Sequence, residues 1–252
     1  MFKASALEYR FRFLMHGFIY TLGLTAPWNY ALHLDPTGPN AHLWGILAVQ
    51  LSRLGIGNIA TAFDVLLAIG IAAAIAGAWL RTWGSSYLGA NVVQSGTMHT
   101  AEALPVTGML QDGPFRHTRN PLYLGTFLHT LALALLMPVS GAIFAIVMIG
   151  ILQIRLILAE EAFLGEKLGA PYAAYCALVP RVVPSLRSRI AGTGLRPAWP
   201  QAFLGEIYMW GVAGSFAIAG WRYDAGLLVR CVVVSVGVSL VARAFVLQKP
   251  QS

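Results

Sequence analysis

Apolar residues in this chain come in long unbroken runs, separated by short polar stretches rich in Pro and Gly. A helix that crosses about 30 Å of hydrocarbon needs roughly 20 mostly apolar residues. The first such run is Phe13 to Leu32, and it stops at the breaker Asp35-Pro36-Thr37-Gly38-Pro39. Leu43 to Leu54 is apolar but too short to cross, and Arg53 closes it, which predicts an interfacial or re-entrant helix. Ile59 to Leu80 is a second span with Asp64 near its start, followed by a mixed loop from Arg81 to Gln111. Leu122 to Met137 and Val139 to Leu158 are separated only by Pro138 and its neighbours. That pattern predicts a tight helical hairpin with arms about 24–30 Å long. Residues 160–200 are polar and Pro-rich, and Phe203 to Gly220 with Ala225 to Leu247 form a last pair around Trp221-Arg222-Tyr223-Asp224. The expected fold is an all-α polytopic membrane bundle of about six helices around the central hairpin.

Composition agrees. Hydrophobic residues make up 57% of the chain and charged ones 11%, against about 25% charged in soluble domains. The net charge of +7 would point to nucleic acid in a soluble protein. Here the cations flank apolar runs, so topology accounts for them and no nucleic-acid partner is expected. With the N-terminus inside, thirteen Lys and Arg fall on the inner side, Arg53 and Arg222 fall outside, and Arg155 and Arg230 lie within spans. Both termini are therefore expected in the cytoplasm of a cell (inner) membrane protein. Lys3, Arg10 and Arg12 precede the first run and no small-residue cleavage site closes it, so it reads as an uncleaved span. Without repeats, the expectation is one integral membrane domain over 1–252. It divides into N-terminal spans (1–80), a central core (81–185) and additional C-terminal spans (186–252). Cys176 sits in the polar segment and Cys231 in a span, so no disulfide is expected.

Two polar clusters flank the hairpin. The first is Arg116, His117, Arg119 and Asn120, and the second is Glu160 and Glu161. Antiparallel packing of the arms brings both to one membrane face. Asn120-Pro121 suits a helix start, Asn as N-cap and Pro at the first helical position. The free amides and the dipole there favour an anionic group. Glu160-Glu161 at a helix C-terminal end would need a cation, either a ligand or Arg119 or Arg181, and one carboxylate could serve each role. Arg155, one turn deeper, is a candidate for an anionic partner, with snorkelling to the headgroups as the plain alternative. Asp64 and Arg230 could pair within the bundle, and His16 reads as hydrogen-bonded packing. Tyr172 and Tyr175 can share one helix face, as a lid or an interfacial anchor.

Gly113-Pro114-Phe115, Arg119-Asn120-Pro121-Leu122-Tyr123-Leu124-Gly125, Glu160-Glu161, Tyr172, Tyr175 and Val179-Pro180-Arg181 follow one another in an order that resembles the isoprenylcysteine carboxyl methyltransferase family. The resemblance covers about residues 80–185. It implies an integral membrane methyltransferase that binds S-adenosylmethionine in a pocket on the cytoplasmic side. Carried over by motif, the cofactor-binding positions are Thr107, Gly108, Met109, Leu110, Phe115, Arg119, Asn120, Pro121, Leu122, Tyr123 and Glu160. The family's turn histidine is Asn120 here. Eukaryotic members carry a substrate-binding arginine four residues before the binding glutamate, where this chain has Leu156, with Arg155 one residue away.

The expected activity is methyl transfer to an amphipathic, lipid-like or isoprenoid acceptor, a carboxylate being favoured because it needs no base. Arg155, Glu161 and His117 are the catalytic candidates, and no metal is expected. An amine or thiol acceptor would need a proton acceptor, for which Glu161 or His117 would serve. Two other readings remain, a sterol-reductase-like membrane reductase using NADPH, and a non-catalytic membrane scaffold. Oligomeric state is not legible in the sequence.

Overall fold

The computed structural model describes residues 2–35, 41–88 and 111–246, with side chains up to residue 242. Among the described residues the chain is helical and contains no strand. The helices are α1 (Ala6–Arg10), α2 (Arg12–Thr25), α3 (Asn29–Leu32), α4 (Leu43–Arg53), α5 (Ile59–Leu88), α6 (Pro121–Ala134), α7 (Val139–Leu168), α8 (Ala170–Leu178), α9 (Trp199–Gly205), α10 (Ile207–Ala219) and α11 (Ala225–Val246). The polytopic all-helical class is thus borne out. By length and apolarity α5, α7 and α11 can each cross a membrane, and α9 with α10, bent by 69° at their junction, make a fourth crossing when taken together. Helix α6 is apolar but spans 14 residues.

Several boundaries differ from the sequence expectation. The first run breaks after Thr25, where Ala26 adopts a left-handed conformation (φ 36°) directly before Pro27. Proline lacks the amide hydrogen a helix needs and its ring clashes with the preceding turn. The second hairpin arm does not stop at Leu158 but continues through Glu160 and Glu161 to Leu168. Glu, Lys and Leu are good helix formers, and the chain first turns at Gly169, where φ is +61°. The glutamate pair therefore lies about two turns inside the helix, beyond the reach of the C-terminal dipole. Helix α5 likewise runs on to Leu88. Arg230 is exposed, and Asp64 instead accepts a hydrogen bond from the Tyr223 hydroxyl. On α11 the core-facing positions include Leu228 and Val232, one turn apart, so Arg230 falls on another face.

Two glycine contacts set the helix spacing. A Cβ at Gly77 of α5 would lie 2.6 Å from the Gly125 carbonyl oxygen of α6, and one at Gly125 would lie 2.7 Å from the Gly77 oxygen. A Cβ at Gly141 of α7 would lie 2.0 Å from the Gly23 oxygen of α2. Backbones that meet this closely gain dispersion contacts, which drive association where lipid tails remove the hydrophobic incentive. Helix α4 is as short as expected. Its first amides, on Leu43 and Trp44, donate to the carbonyls of Met137 (2.8 Å) and Leu135 (3.0 Å) in the hairpin turn. Donors and acceptors orphaned at two helix ends thereby satisfy each other.

Candidate functional site

The start of α6 is held by a dense polar network. Arg119 donates from Nε to Glu161 Oε1 (3.0 Å) and from Nη1 to the carbonyls of Cys176 (2.8 Å) and Val179 (3.2 Å). Arg181 donates to Glu161 Oε2 (2.9 Å). The Asn120 amide donates to Glu161 Oε1 and to the Arg181 carbonyl, each at 3.0 Å, rather than capping α6 with its side chain. Glu161 thus gathers two guanidiniums and one amide and fastens α6, α7 and the 176–181 segment together.

Around this knot the chain wraps further. Tyr175 is buried and its hydroxyl donates to the Phe115 carbonyl (2.8 Å), so it supports the Gly113–Arg116 turn, and Tyr172 packs beside it on α8. Burial pushes both phenols above their ordinary pKa. His117 Nδ1 meets the Ser185 carbonyl at 2.8 Å. The buried Asp112 carboxylate accepts from the backbone amides of Thr193 (2.8 Å) and Gly194 (3.2 Å), tying the Pro-rich segment to the same turn.

Below the network lies a cavity of about 180 Å³. Its rim is formed by Phe115, Arg119, Asn120, Pro121 and Leu122. At the next level Tyr123 donates to Glu160 Oε2 (3.0 Å), and Tyr9 from α1 is hydrogen-bonded with Tyr123. Burial, reinforced by the Glu160 charge, raises the Tyr9 phenol above its ordinary pKa. Arg12 joins this level, its guanidinium lying over the rings of Tyr9 (4.5 Å) and Phe13 (4.6 Å) and donating to the Tyr9 carbonyl (3.0 Å).

The deep end draws on three distant segments. Arg81 of α5 makes a two-pronged ion pair with Glu206, at 2.7 and 2.9 Å, and also donates to Thr126 (2.9 Å). Glu206 sits at the α9–α10 junction, is 3% exposed, and accepts a third bond from Ser85 (3.0 Å). Beyond them the Tyr208 hydroxyl and His129 Nε2 lie 3.1 Å apart, and Tyr20 bonds to Thr130 (2.7 Å). His16 Nδ1 meets the Arg12 carbonyl at 2.6 Å, and the residue lines the cavity as well as packing. From Asn120 to His129 the wall descends about 13 Å along α6.

Of the residues expected at the site, the cavity brings together Phe115, Arg119, Asn120, Pro121, Leu122, Tyr123 and Glu160. Thr107, Gly108, Met109 and Leu110 lie outside the described residues. Arg155, Glu161 and His117 do not line the cavity. Glu161 is in the knot above it and His117 faces the 185 segment. Arg155 is bound by Glu8 through Nε (3.0 Å) and Nη2 (2.9 Å), while its carbonyl accepts from the Ala4 amide. Sequence reasoning missed Tyr9, Arg12, Tyr20, Arg81, Glu206 and Tyr208. The available signal was Glu206, an acid inside an otherwise apolar run, which by default demands a partner and a reason.

In motif order and in the central hairpin the middle of the chain is similar to integral membrane methyltransferases. The particular family whose model matches, over residues 65–170, is described as phospholipid methyltransferase, which bears out the resemblance to membrane methyltransferases read from the motif. The matched segment begins inside α5, covers α6 and α7, and ends at the first residue of α8. No curated protein and no solved structure matches the chain.

Proposed function

We propose that this protein transfers a methyl group from S-adenosylmethionine to an amphipathic, lipid-like acceptor at the cytoplasmic face of the membrane. The observation that carries the reading is that Phe115, Arg119, Asn120, Pro121, Leu122, Tyr123 and Glu160, all residues of the central motif, line one cavity. Glu161 beside them binds Arg119, Arg181 and Asn120 and holds that arrangement together. The donor set suits the cofactor. A carboxylate fixed by Tyr123 attracts a sulfonium or accepts from ribose hydroxyls, aromatic rings suit a purine, and the amides at the start of α6 suit a carboxylate.

S-adenosylmethionine supplies a methyl group already activated on a positively charged sulfur. The chain's own task is then alignment and exclusion of water. Glu160 and Tyr123 fix the orientation at the middle level, and the Glu161 knot with His117 acts as positioning structure around the rim. Arg155 holds α1 through Glu8, and α1 in turn places Tyr9 at the cavity. The inside-positive charge bias supports cytoplasmic termini and a cytoplasmic rim, where a soluble cofactor is available.

The test is calorimetric titration of S-adenosylhomocysteine into detergent-purified protein, wild type beside Glu160→Gln, with NADPH as the control ligand. Binding by the wild type and at least a tenfold loss in a folded variant is the expected result. Binding of NADPH and not of S-adenosylhomocysteine would overturn the reading.

A further inference from the structure

The polar segment that follows α8 carries charge of one sign. Between Glu166 and Glu206 the chain has five Lys and Arg and no Asp or Glu. Arg187, Arg189 and Arg196 are exposed, and none of them meets a carboxylate among the described residues. Val183 and Leu186 stand among them, 78% and 99% exposed. The backbone keeps them there. The Ser185 amide donates to the His117 carbonyl (2.9 Å) and the Arg189 amide to the Arg116 carbonyl (3.1 Å), so Leu186 and Arg187 are held outward between two pinned residues. Both ends of the segment meet the mouths of apolar helices. The Arg181 carbonyl accepts from Asn120 at the start of α6, and the Ala198 amide donates to the Ser86 carbonyl in the last turn of α5 (2.7 Å). Next to that bond Trp199 stacks on Trp79 with 5.6 Å between ring centroids, and Phe203 lies 5.6 Å from Trp210. Tryptophans gather at the level of lipid headgroups.

We propose that residues 181–198 dock on the leaflet beside the cavity rim, with Val183 and Leu186 entering the headgroup layer and Arg187, Arg189 and Arg196 taking the phosphates of anionic phospholipids. The inference goes beyond the methyl-transfer reading and does not depend on it. Exposed apolar side chains rimmed by charge mark a membrane or a partner surface. The single sign of the charge and the position between two helix mouths point to lipid. A zwitterionic leaflet would receive the apolar pair and leave the guanidiniums unmatched. A phosphate accepts two parallel bonds from a guanidinium. Each arginine beside an anionic surface is worth about fivefold in affinity. The surface is also fastened to the rim. Arg116 donates to the Ile190 carbonyl (2.9 Å) and to the Ser188 hydroxyl (3.1 Å), and it belongs to the turn that carries Phe115.

The experiment uses the full chain in nanodiscs, with Cys176→Ser and Cys231→Ser as background and a bimane fluorophore attached through Leu186→Cys. One set of discs is phosphatidylcholine alone, and the other replaces a quarter of it with phosphatidylglycerol. The quenchers are phosphatidylcholine spin-labelled on its headgroup and aqueous acrylamide. The lipid quencher is expected to act more strongly than acrylamide, and more strongly still with phosphatidylglycerol present. Replacing Arg187→Gln, Arg189→Gln and Arg196→Gln together should remove that added quenching, at about fivefold in lipid affinity for each arginine, in a variant that still melts cooperatively. High salt should imitate the replacement. Stronger quenching by acrylamide than by lipid overturns the proposal, because the surface then faces water. Lipid quenching that ignores both phosphatidylglycerol and the arginine replacements overturns it as well. Shielding from both quenchers, with a doubled particle mass, would assign the surface to a second copy of the chain and overturn it too.

Discussion

The rim and the deep end of the cavity are built in opposite ways. The rim is local: Phe115, Arg119, Asn120 and Tyr123 lie within nine positions of one another, and their partner Glu161 returns through one hairpin. The deep end joins Tyr20, Arg81, His129, Glu206 and Tyr208, residues separated by up to 188 positions. A local site can be recognised as a motif. A dispersed one exists only once the helices have packed, and it can change without disturbing the motif above it. One half of the cavity is thus fitted to carry what is common to a family, and the other to carry what distinguishes a member.

Mutations can break this contrast at graded cost. The largest effect is expected from Gly125→Val, whose side chain must enter the Gly77 backbone. Loss of folded protein on size-exclusion chromatography is the expected outcome, because rim and deep end both hang on the α5–α6 contact. Next is Glu206→Gln, which leaves Arg81 buried against a neutral partner. Removing one member of a buried ion pair costs about 3–5 kcal/mol, so the thermal midpoint in detergent should fall by several degrees. If the midpoint is unchanged, the deep end is not held by this pair. Glu160→Gln should lower S-adenosylhomocysteine affinity far more than it lowers the thermal midpoint, the reverse of Glu206→Gln. Equal effects of the two variants on ligand affinity would erase the distinction between the levels.

Smaller effects sharpen the outer edge. Tyr175→Phe removes one buried hydrogen bond to the Phe115 carbonyl and should cost about 1–2 kcal/mol, read as a shift in denaturation with cofactor binding little altered. The smallest is a pH effect at Glu8. Its carboxyl is held down to about 2, first by the hydrogen bond from Arg155 and then by the Ser5 amide. A depressed carboxylate contributes stability that is present above its unfolded value near 4.5 and is lost as pH falls from there towards 2. Limited proteolysis of the N-terminal segment should therefore accelerate across that window in the wild type and show no such pH step in Glu8→Gln.

The contrast also explains what could be read from the chain. Long apolar runs fixed the membrane class, the hairpin and the shortness of α4, because hydrocarbon thickness constrains every crossing. The rim motif could be read because its residues are close in sequence. Apolarity marks the end of α7 too early, because Glu160, Glu161 and Lys167 continue the helix after the apolar run ends and Gly169 is the residue that stops it. Arg155 reads from the sequence as a catalytic candidate or a snorkelling cation because Glu8, 147 positions away, gives no hint that α1 folds back onto α7. Glu206 and Tyr208 were passed over for the same reason, since no spacing rule joins them to Arg81 and His129.

The handshake between α4 and the hairpin turn has a consequence for topology. A segment of eleven residues spans about 16 Å, and its leading amides are committed to Leu135 and Met137. Such a segment is too short to cross the hydrocarbon by itself, so it is expected to add nothing to the parity of the chain. Reporter tags inserted ahead of His42 and after Gly57 should label from the same compartment. That outcome would put the start of α5 and the end of α3 on one membrane face, with two backbone hydrogen bonds from α4 to the hairpin turn setting the direction of the spans that follow.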